Sequence, residues 1–84
     1  MKLMQIGSSL INMTEFISVE GRTVDDGVVV TIEHRDSIKE YLVPDQVDPE
    51  LVIDVMMRCI NDCARFDLMF MLRLRSGYYA DDED

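Results

Sequence analysis

The sequence contains no tryptophan, one histidine, two cysteines, two prolines and four glycines. Two cysteines are too few for a disulfide scaffold. Cys59 and Cys63 also lie four apart on one predicted helix, a poor geometry for bridging each other. That usage fits a reducing compartment, and a cytoplasmic location is expected. With His34 as the sole histidine, a nucleophile lacks the usual base. A zinc site needs four ligands, and only Cys59, Cys63 and His34 are at hand, so no metal or other cofactor is expected. Glycines at 7, 21, 27 and 77 are too scattered to form a phosphate-cradling loop. The longest apolar run, Leu68 to Leu72, is far too short to cross a bilayer. Gly7-Ser8-Ser9 interrupts the opening segment before it could serve as a signal peptide. Carboxylates abound, but none is set in an evident apolar pocket that would tune it for catalysis. The chain reads as non-enzymatic and without membrane association.

Positive charge is scarcer still. Eight Lys and Arg face seventeen Asp and Glu, for a formal charge of −9. Nucleic-acid binders neutralise phosphates with a basic patch, and this chain has no Lys/Arg run. Direct nucleic-acid contact is not expected. A protein with a basic surface, including one that itself handles nucleic acid, is the expected partner, because complementary fields steer encounter. The acidic residues cluster at Asp25 and Asp26, at Asp45, Asp48 and Glu50, and at Asp81, Asp82, Glu83 and Asp84. Two readings stay open. The clusters are a solvated surface that keeps the chain soluble, or they bind a partner, at the extreme by imitating DNA phosphates.

Hydrophobic residues make up 48% of the chain, enough for one folded domain in 84 residues. Its core is small for its surface, and seven methionines offer adaptable packing. The domain is expected over 1–80, with 81–84 as an acidic tail.

Lys2 to Ile6 reads as a strand ended by the Gly7-Ser8-Ser9 turn. A second strand lies within Leu10 to Glu20, its start uncertain. Asp25-Asp26-Gly27 is a turn. Val28 to His34, β-branched in its centre, is the clearest strand. Arg35-Asp36-Ser37 turns into a fourth, Ile38 to Val43. Asp48-Pro49-Glu50 then marks a helix start: an Asp cap, Pro at the first position and an acid where the dipole favours it. Val52, Met56, Cys59, Cys63, Phe66, Phe70 and Leu74 recur at helical steps from there. One amphipathic helix to about Arg75, roughly 40 Å long, is preferred over a break near Asp67 with a fifth strand from Leu68 to Arg75. The expected fold is therefore α+β, an antiparallel meander of three or four strands with one long C-terminal helix packed on it. Its core is expected to hold Ile6, Ile17, Val19, Val28, Val30, Ile32, Leu42, Val52, Met56, Cys59, Ile60, Cys63 and Phe66.

Ile6-Gly7, Leu10-Ile11-Asn12, Phe16 to Glu20 and Val28 to Ile32 together resemble the strand rhythm of small bacterial and phage sheet-and-helix regulatory modules of the flagellar-regulator type. The similarity covers residues 2 to 43 and carries over no functional residue. In size, charge and layout the chain also resembles phage inhibitors of host defence, including anti-CRISPR and DNA-mimic proteins. That resemblance implies an inhibitor of a nucleic-acid-handling protein. The alternative is a self-assembling module. Met69, Phe70, Met71 and Leu72 are apolar on every side of a helix, so one sheet face could not cover them all. With Leu74, Tyr78 and Tyr79 they form a candidate homodimer interface, or else simply a deep core.

Overall fold

The structure, a computed structural model, describes the backbone of residues 1–82 and the side chains of residues 1–75. Six strands and two helices follow in the order β1 (Leu3–Ile6), β2 (Ser9–Asn12), β3 (Phe16–Val24), β4 (Gly27–His34), β5 (Ser37–Pro44), α1 (Pro49–Asp62), β6 (Arg65–Asp67) and α2 (Leu68–Asp82). The class is α+β, as expected, but the strands form two sheets. One is the antiparallel meander β3-β4-β5; the other has the order β2-β1-β6.

The meander is built from adjacent sequence. Asp25-Asp26 and Arg35-Asp36 are two-residue loops between strands paired from Val24↔Gly27 and from His34↔Ser37. Gly27, at φ 154°, cannot be replaced without strain, because an added Cβ would lie 2.3 Å from the Val43 carbonyl oxygen. Val28, Val30 and Ile32 of β4 point into the core with Val43 of β5, all fully buried. Strand alternation puts Val29, Thr31, Glu33, Ile38, Glu40 and Leu42 on the other face.

Two expected core residues are corrected here. Leu42 is 44% exposed and its neighbour Val43 fully buried, since a shift of one residue along a strand moves a side chain to the opposite face. Ile17 is 62% exposed. The β3–β4 register shifts between Phe16 and Ser18, so Ile17 is the extra residue of a bulge. The bulge lets Phe16 and Val19, three apart, both pack on the core.

The first expected strand and turn are present, and the second expected strand, whose start the sequence leaves open, begins at Phe16 as β3, with an additional strand β2 (Ser9–Asn12) before it. β2 ends at Asn12, whose Oδ1 accepts the Thr14 N–H (2.9 Å), while Thr14 Oγ1 accepts the Lys2 N–H (2.8 Å). A turn at Thr14 and Glu15 separates β2 from β3. β1 and β2 form a hairpin from Leu3↔Asn12 to Ile6↔Ser9. Gly7 takes φ +59° at the first loop position, where a type II′ turn needs glycine.

The single long helix is also corrected, as is a fifth strand from Leu68 to Arg75. The helix stops at Asp62, and 68–75 is helical within α2. Asp48 caps α1 through Oδ1, which accepts the N–H groups of Glu50 (3.0 Å) and Leu51 (3.3 Å). At the far end Cys63 turns extended, at φ −125° and ψ 140°, with its N–H still bonded to the Cys59 carbonyl. Leu3 N–H then donates to the Ala64 carbonyl (2.9 Å), and Arg65–Asp67 pairs parallel to Leu3–Gln5. Strand pairing with the start of the chain thus replaces helical bonds that would otherwise run through this segment. Asp67 Oδ1 accepts the Phe70 N–H (3.2 Å) and opens α2.

α1 lies across the meander, where Gly21 allows close approach: a Cβ there would come 3.1 Å from Pro49 Cβ. α2 packs on β1 and α1. The core joins both sheets through Met4, Ile11, Met13, Val28, Ile32, Val52, Met56, Phe66, Leu68 and Leu72. Among the described residues no helix is long and apolar enough to cross a membrane.

Candidate functional site

The β3–β4 loop carries Asp25 and Asp26 at one end of the meander. β5 ends there too, because Gly27 pairs with Pro44, and Asp45 follows with φ 65°. Aspartate tolerates this left-handed conformation better than most residues. Its N–H donates to the Asp26 carbonyl (3.4 Å), so Asp25, Asp26 and Asp45 share one exposed edge. Thr23 Oγ1 donates to the Val47 carbonyl (3.4 Å) and ties the loop to β3. Asp48 and Glu50 follow at the start of α1. Of these two, Asp48 is engaged as the helix cap. Among the described residues none of the five carboxylates has an ion pair; Glu40 and Asp54 do. Arg73 of α2 lines a hollow of about 210 Å³ beside Asp45 and Pro44. Asp81 and Asp82 fall in the last turn of α2; their side chains, and Glu83 and Asp84 entirely, lie outside the described residues.

The apolar segment divides. Leu72 is 2% exposed and belongs to the core, so it offers nothing to a partner. Met69 and Met71 are half-buried and packed against that core. Phe70 and Leu74, four apart on one helix face, are 52% and 53% exposed. Tyr78 and Tyr79 lie outside the described side chains. Between α1 and α2 runs an open groove of about 350 Å³, walled by Val55, Cys59, Cys63, Met71 and Leu74. Burial, then the nearby Cys63 and Asp62, push the Cys59 thiol above its ordinary range, which disfavours the nucleophilic thiolate. Both cysteines are free; Cys59 is buried, Cys63 half-buried.

His34 is tied to backbone. Its Nε2 lies 2.8 Å from the Asn12 carbonyl oxygen, and since a carbonyl only accepts, that nitrogen carries the proton. The bond links the end of β4 to β2. Among the described residues no group of three or more His, Cys, Asp or Glu side chains is placed to hold a metal ion.

The outer face of the meander carries a polar cluster that the sequence pattern did not single out. There Arg22 Nη1 donates to Glu40 Oε2 (2.6 Å), and Thr31 Oγ1 donates to the same oxygen (3.3 Å). The hydrogen bond from Arg22 and its charge hold the Glu40 carboxyl below the usual carboxylate range. Ser18 Oγ donates to Glu33 (3.1 Å). Ile38, at 65% exposure, and Leu42 flank Glu40 on the same strand face. The signal lay in the alternation Ile38-x-Glu40-x-Leu42.

A second feature absent from the sequence reading is the groove between β3 and α1, about 440 Å³, with Val19, Gly21, Ile53 and Met57 in its wall and Glu20, Glu50 and Asp54 beside them.

No protein-family model matches the chain, and neither a curated protein nor a solved structure matches it. The functional reading therefore stands on charge and geometry.

Proposed function

We propose that this is a non-catalytic binding protein that engages, and thereby inhibits or regulates, a protein with a basic surface. The observation that carries this reading is the exposed edge formed by Asp25, Asp26 and Asp45, three carboxylates without ion pairs among the described residues. A chain of charge −9 gains attraction over a long range to a basic partner, and such attraction weakens with salt. Partners that hold nucleic acid present surfaces of this kind, so an inhibitor of a nucleic-acid-handling protein, of the anti-defence type, is the specific form of the proposal. A cytoplasmic site of action accompanies it.

The test is capture of partners from native cell extract at low and high salt, with the wild type beside a variant carrying Asp25→Lys, Asp26→Lys and Asp45→Asn. Asparagine keeps the left-handed conformation at position 45. Asp48 is spared because it caps α1. Basic proteins released by salt and lost by the variant support the proposal; capture indifferent to both removes it.

A second reading, homodimerisation through α2, is favoured by the paired exposure of Phe70 and Leu74. Light scattering of Phe70→Asp against wild type tests it. A monomeric wild type at high micromolar concentration counts against it.

A further inference from the structure

β5 is an edge strand of the meander, and its two edges differ. Arg35 and Asp36 form a hydrogen-bonded turn, so His34 and Ser37 are a hydrogen-bonded pair. Such pairs alternate along an antiparallel ladder. Ser37, Lys39, Tyr41 and Val43 therefore bond to β4, and the N–H and C=O groups of Ile38, Glu40 and Leu42 face outward. Pro44, which has no N–H, falls in a position where none is needed. Among the described residues no backbone bond from another element reaches these three residues. Their side chains share the solvent face: Ile38 is 65% exposed, Leu42 44% and the Glu40 side chain 54%.

We infer that this free edge accepts an extended basic segment of a partner protein as a fourth strand, with Lys or Arg opposite Glu40 and apolar residues opposite Ile38 and Leu42. The inference rests on the reading of the chain as a binder of a basic partner and states where part of that partner docks. Strand addition supplies main-chain bonds for affinity and alternate side chains for specificity. A second copy of the chain fits this edge badly. Antiparallel self-pairing that uses the outward groups sets Glu40 against Glu40, against Ile38 or against Leu42. Like charges directly opposite are unfavourable, and so is a carboxylate set against an apolar side chain. A strand with one central cation and apolar residues two positions to either side meets all three side chains. Arg22 already pairs with Glu40 through Oε2 (2.6 Å) from the β3 side of the sheet, so a cation on the outer edge would be the second to share this carboxylate, in a cross-strand row of alternating charge.

The test titrates short peptides of alternating Val and Thr around a central Arg, and matched peptides with a central Glu, into the isotopically labelled full chain. Amide hydrogen exchange is the readout. The Arg peptides should protect the amides of Ile38, Glu40 and Leu42 and bind about twofold more tightly than the Glu peptides, within the range for one cross-strand charge pair whose carboxylate already has a partner. Glu40→Arg, at an exposed position, should reverse the preference. Arg peptides that protect other amides, or failure of every peptide to bind while salt-sensitive capture of a basic partner persists, would overturn the docking site and leave the proposed function intact. Failure of both sinks both. Protection of the three amides in the free protein that disappears on dilution would assign the edge to a second copy instead.

Discussion

The two sheets of this small protein are assembled in opposite ways. The meander β3-β4-β5 is closed by two loops of two residues each, and every strand pairs with its neighbour in sequence. The sheet β2-β1-β6 begins as a hairpin but is completed by Arg65–Asp67, which returns to pair with Leu3–Gln5. Loop closure across that distance costs more conformational entropy than a tight turn. The first sheet can hold its register by turn chemistry and alternation. The second depends on the whole chain being folded, and through β6 it determines where α1 ends and where α2 begins. The acidic edge and the β5 edge sit on the locally built sheet, so changes in the distant one should weaken stability before they alter these surfaces.

Phe66→Ala is the strongest way to break the comparison. Phe66, 6% exposed, is the central residue of β6 and pairs with Met4. Its truncation should cost about 3–5 kcal/mol, measured by urea denaturation, a large part of the stability of a small domain. Exchange protection should fall first in β1 and β6 and last in β4. Equal loss everywhere would show that the sheets form one cooperative unit.

Next come the turn glycines, one in each sheet. Gly27→Ala drives a Cβ against the Val43 carbonyl and should cost about 2 kcal/mol or more. Gly7→Ala meets open space and carries only the positive-φ penalty, about 1 kcal/mol. Thermal melts of the two variants rank them; a larger loss for Gly7→Ala would contradict the assigned contacts.

Helix caps are a finer probe. Asp48→Ala removes two hydrogen bonds at the start of α1 and should cost about 1 kcal/mol. Asp67→Ala removes one hydrogen bond, from the Phe70 N–H, at the start of α2 and should cost less. Chemical denaturation of both, with helicity by circular dichroism, checks the order.

The smallest effect belongs to the Arg22–Glu40 pair on the exposed face. Because Glu40 is held below its ordinary range in the folded protein, its contribution is present above the unfolded carboxyl pKa. That contribution is lost as pH falls through the lower folded value. Wild type should therefore lose slightly more stability on acidification than Arg22→Ala does. Nuclear magnetic resonance titration of the Glu40 carboxyl should move back toward the ordinary range in that variant; an unmoved titration would sever the pair from the shift.

Much of the local structure was determined by sequence alone. The Asp25-Asp26-Gly27 turn, the β-branched β4 and the Asp48-Pro49-Glu50 helix start each depend on chemistry within a few residues, and each is present in the structure. The clustering of Asp25 and Asp26 was legible for the same reason; their meeting with Asp45 was not, because it needs the β5 register. Tertiary structure decided the rest. Cys59, Cys63, Phe66 and Phe70 keep helical spacing straight through β6, and no Gly or Pro marks the break, so only the pairing with Leu3–Gln5 reveals it. Ile17 looked like core until a bulge displaced it, and Leu42 until the strand phase turned it outward. Which backbone groups of β5 remain free is a property of the ladder. Short-range sterics and capping can be read from neighbouring letters, whereas hydrogen bonds between distant segments exist only once the chain has brought them together.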